Sequence, residues 1–411
     1  MIKPGTKPKL KPKLRFPEFR KDPGWDETQL QKIALPVSER AVTGDGDNVL
    51  SLSGEHGLVL QSDFFGKKVA GDNAERYLKL VRNDFVYNDR TTKASVYGTI
   101  KRLSKYDSGI VSPIYKCFRF DSGETPEFWE WYFESGAHES ELGSLVNEGA
   151  RAGRFNISIS QFLSTAAWRP DKPEQRKIAE CLTSLDEVIA GHGQKLAALQ
   201  SHKKGLMQQL FPHAGETRPR LRFPEFKKAP EWEEKNLSAL AENLDNRRIP
   251  VTESNRVKGE IPYYGASGIV DYINDHIFDE ELLCVSEDGA NLVARSTPIA
   301  FSISDKTWVN NHAHVLKFEH RITQTLVENY LNSIRLDDFL TGMAQPKLNK
   351  AMLDSIPVCL PGIEEQQTIA ECLSSLDSVI AAQTQKLEVL KTHKQGLMQQ
   401  LFPATAEAAD L

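Results

Sequence analysis

The chain has 411 residues, of which 40% are hydrophobic and 26% carry charge. That length is sufficient for two or three domains of ordinary size, and no apolar run is long enough to predict a membrane span. The basic N-terminal residues lack the apolar core of a signal peptide, so we expect a cytoplasmic protein. The five cysteines include no CxxC pair, which argues against a zinc site and a disulfide framework.

The net charge is −5, which argues at first against a nucleic-acid partner. The charge is segregated, however, because residues 3–21 and 218–228 are basic whereas residues 121–148 are acidic. Such segregation permits a basic face on an acidic protein, although ordinary solvated charge explains any single cluster equally well.

In chain order, the first distinctive stretch is the hexapeptide LRFPEF at residues 14–19. It precedes Trp25 and recurs at residues 221–226 before Trp232. We interpret each copy, with aromatic residues around a fixed proline, as an apolar clip that docks on another part of the protein. Residues 1–13, ahead of the first clip, are predicted to form a flexible basic arm.

Two variable regions, about 30–167 and 237–358, follow the two clips and differ in sequence. Both combine short strand-like runs with turn residues, which indicates mixed α+β domains. In the first region the predicted strands are 84–88, 110–120, 155–159 and, with ambiguity, 96–103, and the predicted helix is 127–135. In the second region the predicted strands are 261–269, 282–285, 299–303 and 314–318, and the predicted helix is 324–333.

Each variable region is followed by a long repeated segment, since residues 174–212 recur at 365–403 without a gap and with most positions identical. Apolar residues follow an alternating four-three rhythm, which predicts a coiled-coil helix with an apolar seam that faces a partner. At about 1.5 Å per residue each helix would be roughly 57 Å long. The predicted seam and subunit-interface residues are Ile178, Leu182, Leu185, Ile189, Leu196, Leu199, Leu206, Leu210, Ile369, Leu373, Leu376, Ile380, Leu387, Leu390, Leu397 and Leu401.

Four polar residues interrupt this seam: His192, Lys203, Gln383 and Lys394. Such residues either specify the register and orientation of the pairing or turn out to solvent, and the sequence leaves both open. The first helix also carries Gly191 and Gly193, which the second copy lacks. Because glycine disfavours a helix interior, we predict that the first helix is locally weakened or bent there.

The order of clip, variable region and long helix occurs twice, which indicates a tandem duplication that presents two different globular domains. The predicted domains are a basic arm (1–13), a first globular domain (14–168), a first coiled-coil helix (169–212), a linker (213–220), a second globular domain (221–359), a second coiled-coil helix (360–403) and a C-terminal tail (404–411).

Several motifs closely resemble those of the specificity subunits of type I restriction-modification systems. They are LRFPEF, IPYYGASGI, WVNNHAHVL, GMAQPKLN and the repeated helix, and they follow the family's order over nearly the whole chain. VSPIYKCF and DFVYN in the first half resemble another target-recognition class of that family. The resemblance implies an α+β fold, in which two mixed α/β target recognition domains are joined by two long antiparallel coiled-coil helices with pseudo-two-fold symmetry. One departure is AWRP at residues 167–170, where the second copy has VCLP at residues 358–361.

The same resemblance implies a non-catalytic subunit that binds double-stranded DNA, each domain reading one half of a bipartite target. The helices would set the spacing of the half-sites and dock two methyltransferase (modification) subunits, which restriction (translocase) subunits join. S-adenosylmethionine would be bound by the methyltransferase partner, so we expect no cofactor and no metal in this chain, and no membrane partner.

Side chains that recognise base edges are mainly Arg and Lys for guanine and Asn and Gln for adenine. In the second domain the candidate DNA contacts are Tyr263, Tyr264, Gly265, Ser267, Trp308, Asn310, Asn311, His312, Gln345, Lys347 and Asn349. In the first domain they are Arg90, Lys93, Lys101, Arg102, Lys105, Arg151 and Arg154. The alternatives are core positions for Trp308 and the two tyrosines, and ordinary surface charge for the residues of the first domain.

No catalytic motif is evident: the glycine-rich cofactor loop and the Asn/Asp-Pro-Pro-aromatic tetrad of methyltransferases are absent, as is a GxxxxGK[ST] loop. Asp171, Glu174 and Lys177 loosely match a metal-nuclease signature, but helix capping is the better account. His312 and His314 would share one strand face, with no third metal ligand evident. The rival hypotheses are a coiled-coil scaffold or adaptor without sequence-specific DNA binding, and an enzyme with an unrecognised site.

Overall fold

The structure is a computed structural model of the chain, and it describes residues 9–42, 48–65, 74–93, 95–145, 156–213, 215–342 and 345–403. It divides into two compact units, the first formed by residues 1–192 with 386–411 and the second by residues 193–385. Each unit therefore contains one globular region and a part of each long helix. The predicted domain boundaries treat each helix as a separate segment and stay a prediction.

The first unit builds its globular region from short antiparallel strands. They are β1 (Lys9–Leu10), β2 (Trp25–Gln29), β3 (Ala34–Pro36), β4 (Leu50–Ser53), β5 (Gly57–Leu60), β6 (Leu78–Val81), β7 (Phe85–Asn88), β8 (Thr99–Arg102), β9 (Ser108–Val111), β10 (Lys116–Phe120) and β11 (Ala166–Arg169). The sheet orders are β1-β2-β11, β3-β10-β7-β8, β4-β5 and β6-β9. The helices of this region are α1 (Gln61–Phe65), α2 (Pro126–Glu134), α3 (Glu139–Ser144) and α4 (Ile159–Ser164).

An aromatic core joins α2 to the β3-β10-β7-β8 sheet. The Phe85 and Phe118 rings stack on neighbouring strands with centroids 5.4 Å apart, and Phe120 stacks on Trp129 of α2 at 4.6 Å. Burial of such large rings is the main favourable contribution to docking α2 on the sheet. The acidic segment that contains α2 is thus anchored by its apolar residues.

The second unit has two four-stranded sheets. Its strands are β12 (Glu233–Asn236), β13 (Ala241–Asn243), β14 (Lys258–Gly265), β15 (Gly268–Ile273), β16 (Phe278–Asp279), β17 (Leu282–Ser286), β18 (Ala300–Ile303), β19 (Lys306–Val309), β20 (Ala313–Phe318) and β21 (Pro357–Leu360). The orders are β13-β20-β17-β18, β15-β14-β19-β16 and β12-β21, and only the β14–β19 pairing among these strands is parallel. The helices are α6 (Asn291–Ala294), α7 (Arg321–Ser333) and α8 (Lys350–Asp354).

Two helices of 39 residues each complete the fold, α5 (Lys172–Leu210) and α9 (Ile363–Leu401). All sixteen residues of the predicted seam are buried or half-buried. In the first unit, Asp186 forms an ion pair with Lys394, and Leu182 belongs to the same core cluster as Leu401. Leu182 precedes Asp186 along α5, whereas Leu401 follows Lys394 along α9. The two segments therefore run antiparallel.

The second unit repeats this arrangement with the roles of the helices exchanged. Lys203 Nζ of α5 lies 2.6 Å from Asp377 of α9, and Leu210 belongs to the same core cluster as Ile369. Lys203 and Lys394 occupy equivalent positions of the sequence repeat, as do the two aspartates. Both lysines that interrupt the predicted seam are therefore engaged by a carboxylate of the opposite helix, which favours the register-setting alternative.

The other two interruptions also lie inside or at the edge of the helix packing, since Gln383 is buried and His192 is half-buried. Helix α5 runs without a break through Gly191 and Gly193. The expected local weakening of this helix stays a prediction.

Most predicted elements are confirmed, with differences at three places. Residues 110–120 contain the end of β9 and β10 with a turn between them, and residues 261–269 contain parts of both strands of the β14–β15 hairpin. The predicted strand at 155–159 is wrong over its described part, because Ile159 begins α4. There the Ser158 hydroxyl accepts from the Gln161 backbone N–H at 3.2 Å, and the Gln161 side chain accepts from the Ser158 N–H at 2.9 Å. This capping box starts a helix instead of a strand.

Candidate nucleic-acid interface

Three segments of the second unit, residues 286–289, 310–314 and 345–349, lie side by side where β17 ends and β20 begins. The Glu287 N–H donates to the His312 carbonyl at 2.8 Å, and the Leu348 N–H donates to the Glu287 carbonyl at 2.8 Å. The segment after β17 thus continues as an extended chain between the other two. This arrangement brings together candidate residues that are far apart in the sequence.

The β14–β15 hairpin adds a fourth segment to this cluster. The Asn310 N–H donates to the Tyr264 carbonyl at 3.0 Å, and the Ser286 hydroxyl donates to the Ala266 carbonyl. The loop has two residues between the strands and is followed by Gly268 at φ +116°, in the left-handed region that favours glycine. The loop that contains Ser267 is therefore tied to the same surface.

Five of the predicted contacts are exposed on this surface, which we call the second-domain cluster: Ser267, Asn311, His312, Gln345 and Lys347. Their hydroxyl, amide, imidazole and ammonium groups include all the hydrogen-bonding types needed to recognise base edges and phosphates. This part of the predicted site can reach a ligand without any rearrangement of the core.

The aromatic candidates have structural partners instead. Tyr263 is 1% exposed, and its hydroxyl accepts from the Val251 N–H at 3.0 Å. Tyr264 is half-buried and its ring stacks on Phe301, with burial raising the pKa of its hydroxyl. The half-buried Trp308 donates through Nε1 to the Ile249 carbonyl at 2.7 Å. These contacts favour the core alternative for Tyr263 and a supporting role for the other two.

Three further candidates shape the local backbone. The Asn349 side chain accepts from the Met352 N–H at 3.0 Å and so caps α8. Asn310 is 6% exposed, and its side-chain oxygen accepts from the His312 N–H at 2.8 Å. Gly265 is buried, where a Cβ would come within 3.0 Å of Val270. These residues support the loops that present the exposed contacts.

A network of charges lies beneath the second-domain cluster. His314 is 1% exposed, with Nδ1 2.6 Å from Asp245 and Nε2 2.7 Å from the Leu348 carbonyl. Burial opposes ionisation of Asp245, but its hydrogen bonds to His314 and to the Val315 N–H prevail and lower the pKa of the carboxyl. The network therefore joins strand β20 to the segment before α8, and His314 has a structural role.

Glu287 connects this network to the surface. Its carboxylate accepts from Arg248 at 2.6 Å and lies 3.1 Å from the Lys347 ammonium. Burial opposes ionisation, but these hydrogen bonds prevail and lower the pKa of Glu287. Lys347, half of whose side chain remains exposed, is thus held in place at the cluster.

Sequence reasoning missed Glu287 and Asp288, because it sought side chains that attract DNA and passed over carboxylates. It also missed Arg248, whose part in the cluster depends on its tertiary contact with Glu287. Asp288 lies on the surface between His312 and Lys347: its carboxylate is 2.8 Å from His312 Nδ1, and its backbone forms a bridge with Lys347. The signal available was the position of a charged pair directly after the fully buried strand β17. Polar residues at such strand ends face outward and often carry function.

In the first unit, the candidate cations divide into two groups. Arg90 and Lys93 are exposed on the connection between β7 and β8, and the exposed Lys105 donates to the His56 carbonyl at 3.0 Å. Arg151 and Arg154 lie outside the described residues. The remaining two candidates are Lys101 and Arg102, on strand β8.

Both of these β8 residues hold α2 against the sheet. Lys101 forms an ion pair with Glu134, while Arg102 contacts Glu130 at 2.7 Å and Glu127 at 2.8 Å. The Arg102 side chain is only 11% exposed. A DNA contact would require these ion pairs to break, so the geometry favours a structural role.

The two clips attach to the long helices through equivalent buried ion pairs. Arg15 lies 2.6 and 2.7 Å from the two carboxylate oxygens of Glu174, and Arg222 lies 2.7 and 2.8 Å from those of Glu365. Both glutamates are 3% exposed. Glu174 is thus used in docking the clip, which leaves it unsuited to the nuclease alternative. Among the described residues, no group of three or more His, Cys, Asp or Glu could hold a metal ion.

Residues 229–392 match the model of the type I restriction modification DNA specificity domain family. A Haemophilus influenzae protein, provisionally named a type I restriction enzyme specificity subunit, is 34% identical over 149 residues, 36% of this chain and 38% of that protein. A Methanocaldococcus jannaschii protein, provisionally named in the same way, is 26% identical over 243 residues, 57% of each chain. The chain thus covers less than two thirds of the length of these relatives.

Solved structures share the fold at low sequence identity. The S subunit of a type I restriction-modification system from M. genitalium has a TM-score of 0.61 and 14% identity, covering 96% of this chain and 99% of that chain. A chain from a structure on complex assembly of the type I system has a TM-score of 0.55 and 16% identity, covering 92% and 98%. These likenesses confirm the predicted fold. Among the described helices, none is long and apolar enough to cross a membrane.

Proposed function

We propose that this chain, whose residues 229–392 match the model of the type I restriction modification DNA specificity domain family, is the DNA-recognition subunit of a type I restriction-modification complex. Each globular domain reads one half of a bipartite duplex target. The observation that carries this proposal is the second-domain cluster. Its four segments converge within the matched part of the chain and expose side chains of the kinds that recognise bases and phosphates.

The long helices have two functions in this proposal. They set the distance between the half-sites, and they dock two methyltransferase subunits, which restriction subunits then join. Val188 and Val379 support the docking, because these valines occupy equivalent positions of the repeat and each is 46% exposed. Equivalent apolar positions on two copies of one helix suit two copies of one partner.

The chain itself performs no catalysis in this account. S-adenosylmethionine and the chemistry of methylation belong to the methyltransferase partner, and this subunit supplies the DNA sequence at which they act. The expected location is the cytoplasm, where the DNA target is.

Selection from a randomised duplex pool, with the chain purified with and without its methyltransferase partner, tests the proposal. We expect enrichment of two short specific blocks separated by a nonspecific gap of fixed length. A single block would mean that one domain does not read DNA. The absence of enrichment even with the partner present would contradict the proposal and favour the scaffold hypothesis.

A further inference from the structure

The Asp288–His312 pair lies on the exposed side of the second-domain cluster and has a defined hydrogen-bond polarity. His312 Nδ1 is 2.8 and 3.1 Å from the two oxygens of Asp288. A carboxylate can only accept, so Nδ1 carries the proton and donates it to Asp288. In the neutral ring, Nε2 is then left as a hydrogen-bond acceptor.

The backbone of His312 is also held in place by hydrogen bonds. The His312 N–H donates to the Asn310 side chain at 2.8 Å, and the His312 carbonyl accepts from the Glu287 N–H at 2.8 Å. The backbone and Nδ1 are thus all fixed by described neighbours. Rigid support of this kind is what a group needs to recognise a ligand in one orientation.

Half of the side chain nevertheless remains open, since His312 is 52% exposed and Asp288 is 30% exposed. No described residue forms a hydrogen bond with His312 Nε2. The fixed ring therefore offers its acceptor atom to a ligand.

An acceptor in the major groove recognises the exocyclic amino group of a base pair and thereby the strand that carries it. Adenine N6 and cytosine N4 are exocyclic amino donors, whereas guanine presents O6 and N7 and thymine presents O4, all of which are acceptors. The nearby Asp288 carboxylate also repels acceptor atoms and phosphates. The pair therefore suits an amino group and disfavours guanine, thymine and the DNA backbone.

We propose that Asp288 positions His312 so that Nε2 accepts a hydrogen bond from the exocyclic amino group of an adenine or cytosine in the half-site of the second domain. This inference rests on the proposed DNA recognition and assigns a base preference to one position of that half-site. His312 contacts the base, and Asp288 acts through His312 as a positioning residue.

Duplex selection with the full chain and its methyltransferase partner tests this assignment. We expect the wild-type chain to select one base pair at one position of one block, with its adenine or cytosine on a fixed strand. His312→Ala and Asp288→Leu should relax that position and keep the other positions of both blocks. Asp288→Asn should keep the preference, because its amide oxygen can still accept the Nδ1 proton. His320→Ala, an exposed histidine outside the cluster, is the matched control.

A base analogue identifies the recognised group. Replacing the selected adenine with purine, or the selected cytosine with 2-pyrimidinone, removes the amino group; binding by the wild-type chain should weaken about tenfold. The same replacement should leave binding by His312→Ala unchanged. The purine and 2-pyrimidinone substitutions, made separately, show whether adenine or cytosine is recognised.

Two results would overturn the inference while leaving DNA recognition intact: His312→Ala selects the same sequence as the wild-type chain, or removal of the exocyclic amino group from the base pair that His312→Ala relaxes does not weaken binding by the wild-type chain. Equal weakening at all positions of both blocks, with an unchanged melting temperature, would indicate a phosphate contact and would also overturn it. A wild-type chain that enriches no sequence would contradict the proposed function itself.

Discussion

Among individual residues, His138 has a burial with a clear consequence for pH dependence. It is buried next to Phe133, its Nδ1 atom has no hydrogen-bond partner among the described residues, and burial lowers its pKa to about 4. The unfolded chain takes up a proton near the ordinary pKa of about 6.5, whereas the folded chain resists it down to about pH 4. This histidine therefore reduces stability progressively as the pH falls through that window.

His138→Leu should remove this contribution. Between pH 7 and pH 4 we expect the variant to lose about 3 kcal/mol less free energy of unfolding than the wild-type chain, measured by urea denaturation. His202→Leu, at an exposed position of α5, is the control and should follow the wild-type profile. Parallel profiles for His138→Leu and the wild-type chain would show that His138 titrates normally.

Variants of Arg102 and Lys93 distinguish the structural cations of the first domain from its candidate DNA contacts. Arg102→Ala removes a nearly buried guanidinium and leaves the carboxylates of Glu127 and Glu130 without it, so the free energy of unfolding should fall by about 2 kcal/mol. Lys93→Ala, at an exposed position, should change it by less than about 0.5 kcal/mol and should weaken DNA binding. The opposite pattern, with Arg102→Ala fully stable and deficient in DNA binding, would restore Arg102 as a contact.

At the scale of elements, the clip of the second unit depends on one buried ion pair. Arg222→Met leaves the Glu365 carboxylate buried without its partner, which should cost about 3 kcal/mol in chemical denaturation. The double variant Arg222→Met with Glu365→Met should recover most of this loss, because two apolar side chains can replace a buried pair. Arg218→Met, in an exposed pair with Glu231, should have little effect. If the double variant lost as much free energy of unfolding as Arg222→Met, the loss would come from disturbed packing of the clip and not from the broken ion pair.

Helix α5 should be stabilised by removing its two extra glycines. A Cβ at Gly191 or Gly193 would meet no atom of the described residues within 4 Å, apart from the neighbouring backbone of α5, so alanine gains helix propensity without a clash. We expect Gly191→Ala and Gly193→Ala each to add about 1 kcal/mol and to slow amide exchange around His192. In the wild-type chain, exchange there should be faster than around Gln383 of α9. Equal protection at the two places would contradict the predicted weakening.

At the scale of the whole molecule, the sequence contains enough information to predict the repeated parts. A regular apolar period is a local property, so the long helices and their seam follow from spacing alone. The roles of the lysines in that seam do not follow from spacing, because the partner of Lys203 is Asp377, which lies far along the chain. Pairing across a fold depends on tertiary contacts that one sequence does not show directly.

The candidate site was likewise predictable only in part, because the burial and the partners of its residues depend on tertiary contacts. Residue types predicted which side chains could recognise DNA, and the exposed members of the second-domain cluster remain candidates for that role. Burial and partners were not predictable from type: Tyr263 is enclosed in the fold and Asn349 caps a helix. Asp288 was missed because its usefulness depends on its position beside His312.

Duplex selection with one domain disabled tests most directly whether two separate domains read two separate half-sites. Ser267→Ala, Asn311→Ala and Gln345→Ala together alter three exposed side chains of the second-domain cluster. Arg90→Ala with Lys93→Ala is the reciprocal variant in the first unit. We predict that each variant loses or relaxes one block, a different one in each case, and keeps the other. Loss of the same block by both variants, or no change in either, would contradict the account.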